Sequence, residues 1–217
     1  VDKVQDHELD GIDLSTWEMA FNGAEPIRAS TLRAFAKRFE RCGFRRSAFL
    51  PCYGMAETTL IVTGGPKETR PVMRSFESSE LVEKRVRPVS DDADGARMLV
   101  GCGRVLPDEK VRIVDPNSCE VLPKDEIGEI WVQSGSVGRG YYQRTEETQK
   151  TFDAYTADSD GPFLRTGDLG FLYEGQLFVS GRLKDMIVVR GVNRYPQDIE
   201  ETVERASDVV QAGAVAA

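Results

Sequence analysis

The sequence predicts an α/β fold, and three observations predict it. Strand, helix and strand follow one another between Trp17 and Cys52, the stretch Leu99 to Ser180 is β-rich, and an acidic helix begins at Pro196. The first of these argues for a βαβ unit with a parallel sheet. The second points to a small barrel-like or meander subdomain.

The elements follow in order. Residues 1–16 are acidic and loop-like, with Leu14 to Thr16 leading into a strand at Trp17 to Asn22. His7, the only histidine, reads as a solvated side chain rather than part of a catalytic triad. Leu32, Phe35, Ala36 and Phe39 recur at helical spacing within Ser30 to Cys42, with Ser30 or Thr31 as cap and Gly43 as stop. Arg33, Lys37 and Arg41 form its wet face, and Ser47 to Cys52 returns as a strand. Residues 64–98 are polar, charged and Pro-punctuated with weak periodicity, which predicts an insertion or a long loop. Val111 and Ile113 alternate with Lys110 and Arg112, Asp115-Pro116-Asn117 turns, and Ile127 to Gln133 is the next strand. Gly135, Gly138 and Gly140 make a structural loop, not a phosphate loop, because no Lys-Ser or Lys-Thr pair follows. A helix-like segment spans Thr145 to Phe152. Strands Leu169 to Tyr173 and Gln176 to Ser180 are joined by Glu174-Gly175, whose Gly suits a tight hairpin. Gly181-Arg182 then leaves the sheet, an apolar strand covers Met186 to Val189, and Pro196 takes the first position of a helix with Asp198, Glu200 and Glu201 in its first turn.

Composition sets the bounds. The 217 residues are 40% hydrophobic, enough for one or two domains with a real core. A net charge of -8 argues against a nucleic-acid partner, which needs a basic surface. Cys42, Cys52, Cys102 and Cys119 lie far apart and form no metal or redox motif, so a reducing cytoplasm is the simpler home. No run approaches the ~20 apolar residues of a membrane span. The chain starts without Met and ends in an apolar run at 209–217 that reads as a strand, so it is expected to be a fragment.

In parallel sheets ligands collect at the carboxyl ends of strands, where Asn22-Gly23-Ala24-Glu25-Pro26 and Tyr53-Gly54-Met55-Ala56-Glu57-Thr58 both fall. Gly23, Ala24 and Gly54 would let backbone approach a flat base, Tyr53 offers a stacking face, and Glu57 offers a hard oxygen to Mg²⁺. A turn at Thr166-Gly167 can put the Asp168 carboxylate at a strand mouth, free to accept two hydroxyl hydrogen bonds, as from a ribose diol. Arg182 adds a fixed fork of donors. A structural Asp-Arg salt bridge is the competing account.

These segments resemble the adenylate-forming enzymes, the superfamily of acyl-CoA synthetases, nonribosomal-peptide adenylation domains and luciferases. Residues 22–26 look like its adenine-side loop, 53–58 like its aromatic-Gly-x-x-Glu motif, and Arg165 to Glu200 like its hinge region, with Gly128-Glu129-Ile130 between. Within the superfamily the chain most resembles fatty acyl-AMP ligases, which also carry Ala where Ala56 stands and an extra segment where 64–98 lies. The resemblance implies a division into 1–63 (βαβ part of the large domain), 64–98 (insertion), 99–181 (β-rich subdomain) and 182–217 (hinge and start of a C-terminal lid lobe). It implies that Gly23, Ala24, Glu25, Tyr53, Gly54 and Met55 bind nucleotide, Asp168 the ribose hydroxyls, and Arg182 the ribose or phosphate region. It implies as well that Glu57 holds Mg²⁺ and that Lys184 is the hinge. With Ala56 in place of Thr or Ser, Thr58 or backbone donors are left for the α-phosphate. The family's phosphate loop is expected before residue 1 and its catalytic Lys after residue 217, so the fragment alone is expected to be nearly inactive. The implied reaction converts ATP and a fatty acid to acyl-AMP and pyrophosphate, with transfer to an acyl carrier protein or polyketide synthase carrier domain. An acyl-CoA synthetase and a non-catalytic scaffold are the rival readings, and the insertion is said by the resemblance to restrain the C-terminal lobe and disfavour CoA.

Overall fold

The computed structural model describes residues 4–189, 192–194 and 196–206. The apolar end at 209–217 lies outside the described residues.

The α/β expectation holds. After a short 3-10 turn at Asp6–Leu9, strand β1 (Ala20–Asn22) leads through helix α1 (Ala29–Phe39) to β2 (Phe49–Pro51), and the two strands pair in parallel, Ala20 with Phe49 and Asn22 with Pro51. Both strands are shorter than the sequence indicated. The cap expectation fails as well: α1 starts at Ala29, with Arg28 in extended backbone at the cap position and no side-chain cap bond. Leu32 N instead opens the ladder to Arg28 O, with Ser30 and Thr31 already inside it. Gly43 does end the helical run, at φ 82, where a left-handed residue closes the last turn. The helix buries Leu32 and Ala36 against Phe44, Phe49 and Val100, and Phe35 meets Phe44 and Phe49 edge to face at 5.0 and 5.8 Å.

Past β3 (Thr63–Gly64), the long-loop alternative for residues 64–98 is corrected: from Met73 on they carry strands and a helix. Strand β4 (Met73–Glu77), helix α2 (Ser78–Val82), β5 (Pro88–Val89) and β6 (Ala96–Val100) build an antiparallel sheet in the order β5-β4-β6. Periodicity was weak because β4 is the central strand and is covered on both faces: consecutive Ser75 and Phe76 are both buried. Ser75 donates to Asp91 Oδ1 at 2.8 Å, and the Phe76 ring is clasped by Phe171, Tyr173 and Phe178 at 5.1–5.4 Å. Burying a Phe completely stabilises the fold by about 1.5–3 kcal/mol.

Strand β7 (Arg104–Val105) pairs with β3. Strands β8 (Glu109–Val114) and β9 (Gly128–Ser134), then β10 (Leu164–Tyr173) after helix α3 (Thr145–Phe152), and β11 (Gln176–Arg182) form an antiparallel meander in the order β11-β10-β9-β8. The sheet is open, so the meander alternative stands and the barrel-like one does not. Glu174 and Gly175 turn the β10–β11 hairpin with φ 49 and 76, both positive, as a two-residue primed turn demands. Two further expectations are corrected here. Thr166-Gly167 is not a turn but an irregularity inside β10, where the register to β9 shifts between Arg165 and Leu169. Gly181-Arg182 does not leave the sheet, because Arg182 is paired with Asp168 at the end of β11.

A turn through Lys184 leads to β12 (Ile187–Val189), which pairs antiparallel with β13 (Val192–Arg194), and to helix α4 (Pro196–Ala206), with Pro196 at the expected first position. Leu183 and Met186, on either side of Lys184, pack on the cluster of Phe76, Leu81, Val86, Phe171 and Phe178. The segment from β4 to β5 and the turn through Lys184 therefore share one core.

Candidate nucleotide-binding site

The parallel pair sets the site. Cys52 N donates to Asn22 O at 2.9 Å, so the loops leaving β1 and β2 start side by side. A Cβ on Gly23 would stand 3.0 Å from Cys52 O, the close approach that glycine permits. Ala24 has φ 67, and Ala24 and Glu25 are exposed at the tip. Asn22 Oδ1 is buried and has no hydrogen-bond partner among the described residues.

The second loop is tighter. Tyr53 exchanges backbone bonds with Thr63, and the chain reverses over Gly54 so closely that a Cβ there would lie 1.3 Å from Leu60 O. Thr59 and Leu60 both take positive φ, 54 and 86, conformations that cost non-glycine residues energy and collect at functional sites. Glu57 lies in a single 3-10 turn, Ala56–Thr58. Thr58 is fully buried, and its hydroxyl donates to Met55 O at 3.0 Å. The Thr58 hydroxyl is thus engaged with Met55.

The Tyr53 hydroxyl donates to Asp168 Oδ2 at 2.8 Å, and Arg182 Nε donates to Asp168 Oδ1 at 2.9 Å. Tyr53, Asp168 and Arg182 thus form one chain of charge-assisted bonds. Burial, and after it the Asp168 charge, push the Tyr53 phenol well above its ordinary pKa, so it stays a donor. Asp168 is not free in the way the sequence reading had it. Each oxygen already accepts one bond, and a carboxylate has about four acceptor positions, so capacity for two hydroxyls remains. The Tyr53 ring is largely buried, which leaves little of its face to stack on.

Beneath Asp168 sits a support that sequence reasoning missed. Glu129, buried on β9, accepts from Gly167 N at 3.1 Å, from Arg165 at 2.7 and 3.0 Å, and from Trp131 Nε1 at 2.9 Å. Thr166 Oγ1 donates to Ile130 O and accepts from Asp168 N. These bonds fix the irregularity that turns Asp168 toward Tyr53. The one available signal was a Glu between apolar strand residues, which demands a buried partner.

Glu57 stands on the other side. Its Oε1 accepts from the Tyr141 hydroxyl at 2.7 Å, and its backbone O accepts from Gly138 N at 2.8 Å. Its second carboxylate oxygen makes no hydrogen bond to the described residues and is available to a hard cation. Among the described residues no group of three or more His, Cys, Asp or Glu gathers. A single carboxylate completed by water and substrate phosphates fits Mg²⁺, which keeps much of its hydration. Lys184 is exposed in its turn, Leu183 N donates to Gly167 O at 2.8 Å, and α4 returns to the site's edge, where Arg28 Nη2 meets Glu200 Oε2 at 3.2 Å.

An α/β scaffold with two loops at the ends of adjacent parallel strands, an aspartate locked to a tyrosine and an arginine, and a lone carboxylate opposite define a nucleotide-binding protein of the adenylate-forming kind. The chain belongs to the AMP-binding enzyme family, whose profile matches residues 2–142. It is 46% identical over 198 residues to the medium-chain-fatty-acid–[acyl-carrier-protein] ligase JamA of Moorena producens, covering 90% of this chain and 33% of that protein. It is 37% identical over 217 residues to the long-chain-fatty-acid–AMP ligase FadD32 of Mycobacterium marinum, covering 95% and 34%. Among solved structures, the fatty acyl-adenylate ligase of L. pneumophila in complex with acyl adenylate and pyrophosphate superposes with TM-score 0.81 at 42% identity, over 96% of this chain and 36% of that one. The expected likeness to fatty acyl-AMP ligases is borne out, and the chain spans about a third of the length of the relatives it matches. No described helix is long and apolar enough to cross a membrane.

Proposed function

We propose that the whole protein activates a fatty acid with ATP. A carboxylate oxygen of the fatty acid bonds to the α-phosphorus, the bond from that phosphorus to its bridging oxygen breaks, and pyrophosphate leaves with the electron pair. The acyl-AMP then passes its acyl group to the pantetheine thiol of an acyl carrier protein, in lipid or polyketide assembly, releasing AMP. The observation that carries this reading is the Tyr53–Asp168–Arg182 chain beside the carboxyl ends of the two parallel strands.

In this reading Gly23, Ala24 and Glu25 bound the adenine, with backbone groups reading its edge, and Gly54 and Met55 form the floor under the phosphates. Asp168 accepts from the two ribose hydroxyls, and Arg182 pairs with Asp168 through Nε while its remaining donors face the ribose or phosphate. Glu57 is the protein's carboxylate for Mg²⁺. When bound, the ion neutralises phosphate charge and steadies the departing pyrophosphate. The chain's own contribution is positioning and fixed charge. Lys184 is the pivot of the lid lobe. The core shared by Phe76, Leu81 and Val86 with Leu183 and Met186 supports a restraining role for residues 64–98. Four free cysteines support a reducing cytoplasm as the setting.

The test gives the whole protein MgATP and a labelled fatty acid, with CoA or a pantetheinylated carrier protein in parallel. Acyl-AMP that passes to the carrier and not to CoA is the expected result. Efficient acyl-CoA formation makes the protein a synthetase, and absence of any adenylate rejects the activity altogether.

A further inference from the structure

The glycine-rich loop between β9 and α3 grips the Glu57 turn at three points. Gly138 N donates to Glu57 O at 2.8 Å, Thr59 Oγ1 donates to Ser136 O at 2.7 Å, and the Tyr141 hydroxyl donates to Glu57 Oε1 at 2.7 Å. Tyr141 is itself held. Its N–H donates to Thr148 Oγ1 at 2.9 Å, and its ring stands edge-on to Phe152 at 5.1 Å, both partners lying on α3. Gly140, at φ 134, lets the loop pass so close to Thr148 that a Cβ would come within 2.2 Å of its methyl. Gly138 and Gly140 thus serve to bring one phenol to one carboxylate.

From this geometry we propose that Tyr141 is a positioning residue for Glu57. A carboxylate on a single 3-10 turn rotates freely about its last bonds. A short hydrogen bond to one oxygen stops that rotation and aims the second oxygen, and metal-ligating carboxylates depend on such partners. Phe152 and Thr148 fix Tyr141, Tyr141 fixes Glu57, and Glu57 meets the cation. The inference rests on the reading of Glu57 as the carboxylate for Mg²⁺.

The test compares the wild-type whole protein with Y141F, E57Q and the double variant. Mn²⁺ binding is read by electron paramagnetic resonance in the presence of a non-hydrolysable ATP analogue, alongside the fatty-acid KM and the thermal midpoint. Y141F is expected to weaken Mn²⁺ binding about tenfold, the lower end of what loss of such a partner costs, with the fatty-acid KM unchanged. E57Q loses the same binding, and adding Y141F to it changes nothing further. Where Y141F does not fold, T148V, which removes one of the two α3 contacts of Tyr141 and leaves phenol and carboxylate intact, weakens binding in the same direction. Wild-type or tighter Mn²⁺ binding by a folded Y141F, with E57Q impaired, overturns the role of Tyr141. Wild-type binding by E57Q rejects the Glu57 reading itself, and the inference with it.

Discussion

The two carboxylates of the site are mounted in opposite ways. Asp168 rides on the central part of a four-stranded sheet, its side chain 13% exposed, and is tied to a buried phenol and an arginine. Glu57 rides on one turn, half exposed, and its side chain is held by a phenol on a neighbouring loop. The Asp168 side belongs to the fold and the Glu57 side only to the site. Removing Asp168 therefore strands the buried Tyr53 hydroxyl, whereas removing Glu57 strands nothing that water cannot reach.

The largest expected effect breaks the comparison by removing what both sides share. In G54A the new methyl has no place beside Leu60 O, and the loss is expected at about 3 kcal/mol or more, the upper end of overpacking costs. It would be measured as a fall in the denaturant midpoint. Next, D168A leaves the Tyr53 hydroxyl buried without an acceptor, at about 1–3 kcal/mol, while E57Q stays within about 0.5 kcal/mol. Equal midpoints for the two would erase the distinction. Y53F removes the same hydrogen bond without stranding Asp168, which keeps Arg182, and is expected to cost about 1 kcal/mol. A nucleotide titration should show it weakened but still binding.

The smallest effect sharpens the Glu57 side. Burial, and after it the bond to Glu57, push the Tyr141 pKa up to about 12 from 10. The folded state thus holds this proton more tightly than the unfolded one. The contribution is complete below about pH 10 and lost as pH rises through about 12, damped by solvent at a residue 40% exposed. The midpoint of Y141F should fall less over that interval than that of the wild type.

Local chemistry made much of this legible. Glu174-Gly175, Thr145 to Phe152, the stop at Gly43 and the start at Pro196 are each decided by residues within a few positions, and each appears where the sequence put it. Residues 22–26 and 53–58 fall at the ends of the two parallel strands for the same reason. What stayed hidden depends on distant partners. Thr166-Gly167 reads as a turn unless Glu129 is known to bond Gly167 N from the next strand. Tyr141 gives no sign of Glu57, 84 residues away. The β4 strand shows no alternation because its two faces are covered by different parts of the molecule.

That last arrangement constrains how the chain is made. Arg74 on β4 meets Glu174, 100 residues later, and the ring of Phe76 is met edge to face by Phe171, Tyr173 and Phe178. At typical synthesis rates β4 emerges ~5–20 s before the hairpin that covers it. During that interval the Phe76 ring has Leu81 and Val86 of its own segment but none of its aromatic partners, and non-local pairings of this kind are slow to form. A nascent chain paused between β6 and β10 is accordingly a natural client for a chaperone, and a truncation ending there is the version of this protein most prone to aggregate.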